Sequence, residues 1–257
     1  MSQAGDVEGR GAAVTSLVEG ERRFRLAQTS REMIARMREP EPRPAQELDR
    51  KGLLSLAPQA RRFADVFRDL RTQLIARHRG ENFSVMVAPV TTGAGASFVA
   101  ANLALAFALD EAKTALLIDC NLREPSQDRR LGVAVHAGLT DFLDDPGIGI
   151  EHIIYPSGIP RLRLIPVGTH REGSSEYLSS MRMRALLAHL KERYPDRYLV
   201  LNAPALDAAP DARVLGELTD CSVAVVGYGQ VTAEAVRDAV SALDPARFAG
   251  LVFNNVP

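Results

Sequence analysis

The sequence predicts an α/β protein with a doubly wound, mostly parallel sheet that carries helices on both faces. Short, continuous apolar runs alternate along the chain with segments of helical period, and strands that read this way are buried on both faces. One run, from Val85 to Val90, passes through a glycine-containing turn into an apolar helical segment that begins at Ser97. The 257 residues are 46% hydrophobic, which is ample material for a large core.

The chain begins with a polar segment, residues 1–50, that is rich in arginine and glutamate. Such a composition buries too little apolar surface to offset the entropy of ordering, so we expect a flexible arm. An amphipathic helix between about residues 21 and 37, able to dock on a partner, is the alternative for this segment. The folded domain is expected to span residues 51–257.

The first helix of that domain is predicted from Pro58 to Arg77 by apolar residues at helical spacing. Asp65, Arg68 and Arg71 follow one another at three-residue intervals and therefore lie along another side of the helix. They are either free to meet a second chain or part of a solvated charged face. The apolar side is predicted to comprise Phe63, Val66, Phe67, Leu70 and Leu74.

The later elements continue the alternation of strands and helices. The predicted strands are Thr114–Cys120, Leu162–Val167, Tyr198–Leu201, Ser222–Tyr228 and Leu251–Asn254. The predicted helices are a short one near Leu139 and the segments Glu176–Tyr194, Asp211–Thr219 and Ala233–Leu243. Cys120 and Cys221 lie far apart in apolar runs, so we expect buried free thiols.

Charge and hydropathy exclude several classes of protein. The net charge of −1, without a basic stripe, argues against binding to nucleic acid. No stretch approaches the roughly 20 apolar residues of a membrane span, and the N-terminus lacks an apolar signal region. We therefore expect a soluble cytoplasmic chain. Its histidines are dispersed, without the spacing of metal ligands.

The turn after the first strand has the outline of a phosphate-binding loop. Such loops read GxxxxGK[ST]; their backbone N–H groups and the following helix N-terminus hold an anion, and the lysine adds charge. Gly95 and Ser97 fit this frame, and Gly93 lies within the turn, but Val90 stands at the first glycine position and Ala96 at the lysine position. The loop is either a weak anion-binding remnant or simply a turn shaped by its glycines.

Several segments, taken in order, resemble the bacterial tyrosine autokinases (BY-kinases) of polysaccharide export, which belong to the MinD/ParA-like group of P-loop NTPases. The resemblance covers about residues 60–257. It rests on VFRDLRTQL, VAPVTTGAGASFVAANLALAFA, ALLIDCNLREPSQDRRLGV, GLTDFL and YLVLNAPALDAAPDA. These resemble, respectively, the family's helix before the first strand, the Walker A loop and helix, the second Walker motif, the short helix after it, and the Walker B strand.

The resemblance implies a lysine and three aspartates at the catalytic positions, of which the sequence keeps only Asp119. Ala96, Asn121 and Asn202 replace the others. Phosphoryl transfer depends on charge stabilisation, and magnesium prefers carboxylates to amides. We therefore predict a catalytically inactive pseudo-kinase that needs no cofactor, binds ATP, ADP or another anion weakly, and does not use magnesium.

Two charged residues near these positions have more than one interpretation. Asp119 is either a retained base or a cap for the loop after its strand. Arg123 either leans toward a bound phosphate or pairs with its neighbour Glu124.

The resemblance also implies partners. BY-kinase domains work with an inner-membrane polysaccharide co-polymerase, so we expect a peripheral position at that membrane through this protein. The family's oligomerisation pattern matches Asp65, Arg68 and Arg71, which predicts self-association or association with an active paralogue. The usual C-terminal tyrosine cluster is not evident, because all five tyrosines lie within the domain.

Two alternatives remain open: an active kinase or ATPase with atypical residues, and a MinD/ParA-like positioning protein.

Overall fold

A computed structural model describes residues 32, 41–55, 61–79, 81–170, 174–194, 196–207 and 210–255. Apart from Glu32, the predicted arm helix at residues 21–37 lies outside this range, as do residues 58–60 at the start of the next predicted helix. Among the described residues, no helix is both long and apolar enough to cross a membrane.

The strands form a single sheet. They are β1 (Ser84–Pro89), β2 (Thr114–Asp119), β3 (Tyr155–Pro156), β4 (Leu162–Ile165), β5 (Arg197–Asn202), β6 (Cys221–Gly227) and β7 (Phe248–Asn254). Their order across the sheet is β3-β4-β2-β5-β1-β6-β7. Every neighbouring pair is parallel except β3 and β4. The carboxyl ends of the parallel strands therefore meet at one edge.

Helices connect the strands on both faces. They are α1 (Ala45–Arg50), α2 (Arg61–Arg77), α3 (Ala96–Ala108), α4 (Gln127–Leu131), α5 (Leu139–Asp144), α6 (Ser174–Ser179), α7 (Met181–Arg193), α8 (Asp211–Leu218) and α9 (Ala233–Ser241). A single turn of 3₁₀ helix covers Ile150–His152. α3 is buried nearly all round, as its run of alanine, leucine and phenylalanine predicts.

The core consists of two apolar clusters, one on each face of the sheet. Side chains of a strand alternate between faces, so Val85 and Val87 of β1 belong to one cluster and Met86 and Ala88 to the other. α2 and α3 contribute to the first cluster, and α7 and α8 to the second. The predicted doubly wound, mostly parallel α/β fold is confirmed, and Cys120 and Cys221 are buried free thiols as predicted.

Two elements differ from the sequence prediction. The single helix expected over Glu176–Tyr194 is interrupted at Ser180, whose extended backbone separates α6 from α7. Its Oγ accepts a hydrogen bond from the N–H of Met183 at 3.1 Å, as an N-cap serine does. The short edge strand β3 was not predicted, because two residues carry no periodicity.

The prediction of which residues lie on the apolar side of α2 also needs correction. Val66, predicted on the apolar side, has 66% of its surface exposed, because it lies about 100° around the helix from the buried Phe67. Arg71 is half-buried, and its Nη1 donates to the carbonyl of Ala106 in α3 at 2.9 Å. Arg68 forms an exposed ion pair of 3.0 Å with Asp65.

Part of the predicted flexible arm packs on the domain. The N–H of Arg43 donates to Gly158 O, and its guanidinium donates to Gly132 O, both at 3.0 Å. Leu48 of α1 packs against the apolar cluster that contains α2 and α3. The packed region thus includes residues well before the predicted boundary at residue 51.

Candidate functional site

A cleft of about 760 Å³ opens at the carboxyl ends of β1, β2 and β5. Crevices at this edge of a parallel sheet are the usual ligand sites of doubly wound folds, and this volume suits a nucleotide-sized molecule. The lining residues come from the glycine loop, the start of α3, the segment from β2 into α4, and the turn after β5. They are Pro89, Thr92, Gly93, Gly95, Ala96, Ser97, Phe98, Asn121, Arg123, Glu124, Pro125, Ser126, Arg129, Arg130, Ala203, Pro204 and Ala205.

The glycine loop has the form expected of a phosphate-binding loop. Gly93 and Gly95 have φ angles of 86° and 84°, a region that glycine adopts without strain. Gly95 is the N-cap of α3, and its carbonyl accepts from the N–H groups of Phe98 and Val99. A Cβ on Gly95 would collide with the side chain of Asn254, whose amide donates to Ala94 O at 3.1 Å. The loop is therefore held both by its own backbone and by β7.

The position of the expected lysine is the first residue of α3. Ala96 is only 3% exposed and ends in a methyl group, so it brings no charge into the cleft. Ser97 follows on the cleft wall.

Asp119 at the end of β2 is committed to holding the loop that follows. Its Oδ1 accepts from Asn202 Nδ2 at 2.8 Å and from the N–H of Asn121 at 3.3 Å. Its Oδ2 accepts from the N–H groups of Ser126 and Gln127, both at 3.0 Å. Burial raises the pKa of Asp119, although these donors act in the opposite direction. The cap interpretation thus describes what this carboxylate does in the structure.

The two asparagines are built into the same arrangement. Asn121 Oδ1 accepts from the N–H of Glu124 at 3.2 Å, which fixes the turn after β2. Asn202 is fully buried, and its Nδ2 points its hydrogen at Asp119. Its Oδ1 has no hydrogen-bond partner among the described residues.

A magnesium ion does not fit these groups. Each carboxylate oxygen of Asp119 already accepts two hydrogen bonds from N–H groups, and Asn121 and Asn202 offer only neutral amides. Magnesium holds its ligands in strict octahedral geometry and favours carboxylate oxygens. Within the described part of the chain, no three residues of the metal-ligating types cluster together.

Positive charge enters the cleft from elsewhere. Arg123 is paired with the buried Asp211 at 3.6 Å, and not with Glu124. Arg129 and Arg130 of α4, which sequence reasoning missed, also line the cleft. The guanidinium of Arg130 lies 5.9 Å from the ring centroid of Phe98, within range of a cation–π contact. The sequence feature that could have indicated these two cleft residues is the adjacent pair of arginines in the segment ALLIDCNLREPSQDRRLGV.

The structure thus brings together most of the predicted site residues. Gly93, Gly95, Ala96, Ser97, Asn121 and Arg123 line the cleft. Asp119 and Asn202 lie at the ends of adjacent strands and bond to each other. Asp65, Arg68 and Arg71 do not belong to the cleft and lie on α2.

This sheet order, together with a glycine loop that leads into a buried helix, defines the class of P-loop NTPase folds. No family model matches the sequence. Tyrosine-protein kinase YwqD of Bacillus subtilis is 30% identical over 181 residues, which is 70% of this chain and 75% of that protein. The chain belongs to the bacterial tyrosine-protein kinase family.

Longer relatives share the same region. Tyrosine-protein kinase wzc of Salmonella typhi is 30% identical over 195 residues, which is 75% of this chain. The succinoglycan biosynthesis transport protein ExoP of Rhizobium meliloti is 29% identical over 187 residues, or 68% of this chain. The match spans only 27% of wzc and 22% of ExoP.

Solved structures agree with this assignment. The kinase domain of the Escherichia coli tyrosine kinase ETK superposes with a TM-score of 0.69 at 27% identity, covering 75% of each chain. The septum site-determining protein MinD of Pyrococcus horikoshii gives a TM-score of 0.55 at 20% identity, over 66% of this chain and 68% of that one. The likeness to MinD shows the fold alone.

Proposed function

We propose that this protein is a catalytically inactive member of its family. Its role is that of an assembly or regulatory partner for an inner-membrane polysaccharide co-polymerase in the synthesis and export of an exopolysaccharide, capsule or holdfast. One observation carries the inactivity: the remaining catalytic carboxylate, Asp119, is saturated by four N–H donors. It has become a structural cap.

The chemistry of phosphoryl transfer makes this loss severe. The protein's contribution to that reaction is positioning and the stabilisation of charge on the transferred group. Removal of a single such donor typically lowers turnover by about 100- to 1,000-fold. Ala96, Asn121 and Asn202 each remove a charge that the family's active members supply, so their effects are expected to combine.

Relatives support the assignment to polysaccharide export. One is named for succinoglycan biosynthesis transport, and others are tyrosine-protein kinases. The conserved architecture of the domain is compatible with docking on a co-polymerase even when turnover is lost. This partnership would place the protein at the inner membrane without a membrane span of its own in the described residues.

Enzymatic assays of the purified chain test the inactivity. ATP hydrolysis and tyrosine autophosphorylation are measured for the wild type and for the Ala96→Lys, Asn121→Asp, Asn202→Asp triple variant. We expect no turnover above background in the wild type. Substantial wild-type turnover would overturn the proposal, whatever the triple variant does.

A separate experiment tests the partnership. The protein is co-expressed with an inner-membrane polysaccharide co-polymerase and purified from detergent-solubilised membranes. We expect the two to purify together, and the variant Arg68→Glu to reduce recovery relative to Arg184→Glu on the exposed side of α7. If the two proteins never purify together, the partnership is wrong even though the inactivity stands.

An active kinase with atypical residues is a second candidate, because three arginines line the cleft and supply charge in place of the lysine. The same hydrolysis assay decides between the two. A MinD/ParA-like positioning role requires binding to anionic vesicles or duplex DNA, and co-sedimentation at moderate salt measures it.

A further inference from the structure

The two outer strands of the sheet differ in how well their free edges are protected. At one end, β3 has only two residues, runs antiparallel to β4 and contains Pro156, which has no N–H to offer a further strand. At the other end, β7 has seven residues, none of them charged and none of them proline. Among the described residues, no strand pairs with the outer side of β7. This edge therefore lacks the usual barriers to the addition of another strand.

Apolar side chains are exposed along the same edge. Phe253 has 68% of its surface exposed, and Leu251 has 39%. Tyr228, which follows β6 and whose N–H donates to Asn254 O at 2.9 Å, is also exposed. These are three of the five large apolar residues that the described part of the chain exposes. Such a concentration of exposed apolar surface marks an interaction site.

The register of β7 places Leu251 and Phe253 on one face of the sheet. Both pair with residues of β6 that belong to the apolar cluster containing α7 and α8, and residues paired across strands point to the same face. Val252, between them, packs against the cluster on the other face. The ladder with β6 is regular from Gly250 to Asn254, so this part of β7 keeps the geometry of a strand that can be extended on its free side.

This spacing makes β7 complementary to a second copy of itself. When two copies of β7 run antiparallel about a two-fold axis at Val252, Leu251 of one copy lies opposite Phe253 of the other. The pair occurs twice on the same face, and the two Val252 side chains meet on the opposite face. The positions nearest the axis are therefore apolar in both strands. Cross-strand pairs of this kind stabilise a sheet, and a two-fold contact of one surface with its copy is the commonest arrangement in oligomers.

The neighbouring helix is also complementary to its own copy. α9 packs through Val236 and Val240 on the cluster of the face that carries Leu251 and Phe253, and none of its residues is fully buried. Its exposed charged residues are Glu234, Arg237 and Asp238. The two-fold axis makes the copies of α9 antiparallel. Because charges of both signs lie on one helix, the antiparallel copies can present opposite charges to each other.

We propose that this protein forms a two-fold symmetric dimer through antiparallel pairing of β7 with its copy, which joins the two sheets into one. The inference does not rest on the proposed lack of catalysis. It also concerns a surface other than α2, which contributes to the cluster on the opposite face of the sheet. Two short strands bury less area than a standard interface of about 1,600 Å², so we expect a weak dimer that forms at micromolar concentrations or above.

Sedimentation velocity of the full chain, from micromolar to submillimolar concentration, measures this dimer. Phe253→Lys places a charge on the free edge and should raise the dissociation constant by about tenfold or more, because each dimer loses two apolar pairs. Leu251→Lys should act in the same way, and circular dichroism shows whether each variant is folded. Met181→Lys is the matched control: Met181 is an exposed apolar residue on α7, and its replacement should leave the dimer unchanged. The dimer should also persist in Arg68→Glu on α2.

Cysteine cross-linking tests the register. The two Val252 Cα atoms lie about 5 Å apart in the proposed pairing, a separation that a disulfide can span. Ala249, which is also half-buried on β7, is displaced from its copy by six residues, or about 20 Å. Val252→Cys should therefore form a covalent dimer under mild oxidation, and Ala249→Cys should not. The native Cys120 and Cys221 are buried, so the background should be low.

Four results would overturn the inference. They are a wild type that remains monomeric at submillimolar concentration, a dimer that neither lysine variant on β7 weakens, a dimer that Arg68→Glu abolishes, and cross-linking that is no faster for Val252→Cys than for Ala249→Cys. A monomer whose β7 amides exchange slowly with deuterium would show that another segment of the chain covers this edge, and would overturn the inference as well. The hydrolysis and autophosphorylation assays measure the proposed lack of catalysis separately.

Discussion

Placing an aspartate at position 202 alone should destabilise the protein, although the family resemblance predicts an aspartate there. Asn202 is fully buried, and its Nδ2 donates to Asp119 Oδ1 at 2.8 Å. The substitution Asn202→Asp removes that donor and places two carboxylates in contact. At this separation two unit charges repel by about 6 kcal/mol at an effective dielectric constant of 20.

The pair can escape this repulsion by binding a proton on the new carboxyl, which then donates to Asp119. For a group with an unfolded pKa of about 3.9, holding that proton at pH 7 costs about 4 kcal/mol. Its folded pKa is raised, so the variant's deficit in stability is small near pH 4. The deficit grows by about 1.4 kcal/mol per pH unit until the pH passes the folded pKa.

Urea denaturation at pH 5 and pH 7 measures this pH dependence. We expect Asn202→Asp to lose about 4 kcal/mol of unfolding free energy at pH 7 and clearly less at pH 5. The matched control, Asn202→Ala, also loses the hydrogen bond but adds no charge, so its deficit should change little between the two pH values. If Asn202→Asp were as stable as the wild type at pH 7, the pairing of Asn202 with Asp119 would be wrong.

Three further predictions concern other parts of the molecule. Burial alone would raise the pKa of Asp220, but hydrogen bonds from Lys191 and Ser84 hold that pKa below its usual value. The ionised Asp220 therefore stabilises the fold at neutral pH, and this stabilisation is lost as the pH falls through the folded pKa. Asp220→Asn should accordingly cost about 1–3 kcal/mol at pH 7 and flatten the acid limb of the denaturation profile. Gly95→Ala should lower the thermal midpoint and abolish any anion binding, because the residue has a positive φ and its new Cβ would collide with the side chain of Asn254. Differential scanning fluorimetry measures the midpoint, and calorimetric titration measures anion binding. Arg68→Glu should shift sedimentation toward monomer if α2 mediates self-association, and a sedimentation profile identical to the wild type would leave α2 as a solvated face.

The fold could be predicted from the sequence because its signals are local. A strand buried on both faces must be apolar throughout, and the run TALLID of β2 shows this directly. The glycine loop could also be predicted from the sequence, because the chain turns there from a strand into a helix through glycines at positive φ. The predicted bounds of the main strands differ from the observed ones by at most three residues.

Errors arose where tertiary contacts decide the outcome. Exposure of Val66 depends on which arc of α2 faces α3, and spacing alone does not fix that arc closely enough. The packing of Arg43 depends on carbonyl groups of Gly132 and Ser157, which lie about a hundred residues away in the chain. A polar composition predicted mobility for this segment because it gives no information about such distant partners.

The sequence alone determined that Ala96, Asn121 and Asn202 stand where the family resemblance predicts a lysine and two aspartates. Only the tertiary structure decided which partners the charged groups around these positions contact. Asp119 meets its four donors because β2 and β5 lie side by side and α4 starts beneath their ends. Arg130 reaches the cleft because the same capped turn directs α4 along its wall. Such convergence depends on strand order, a property that residue spacing along one chain does not contain.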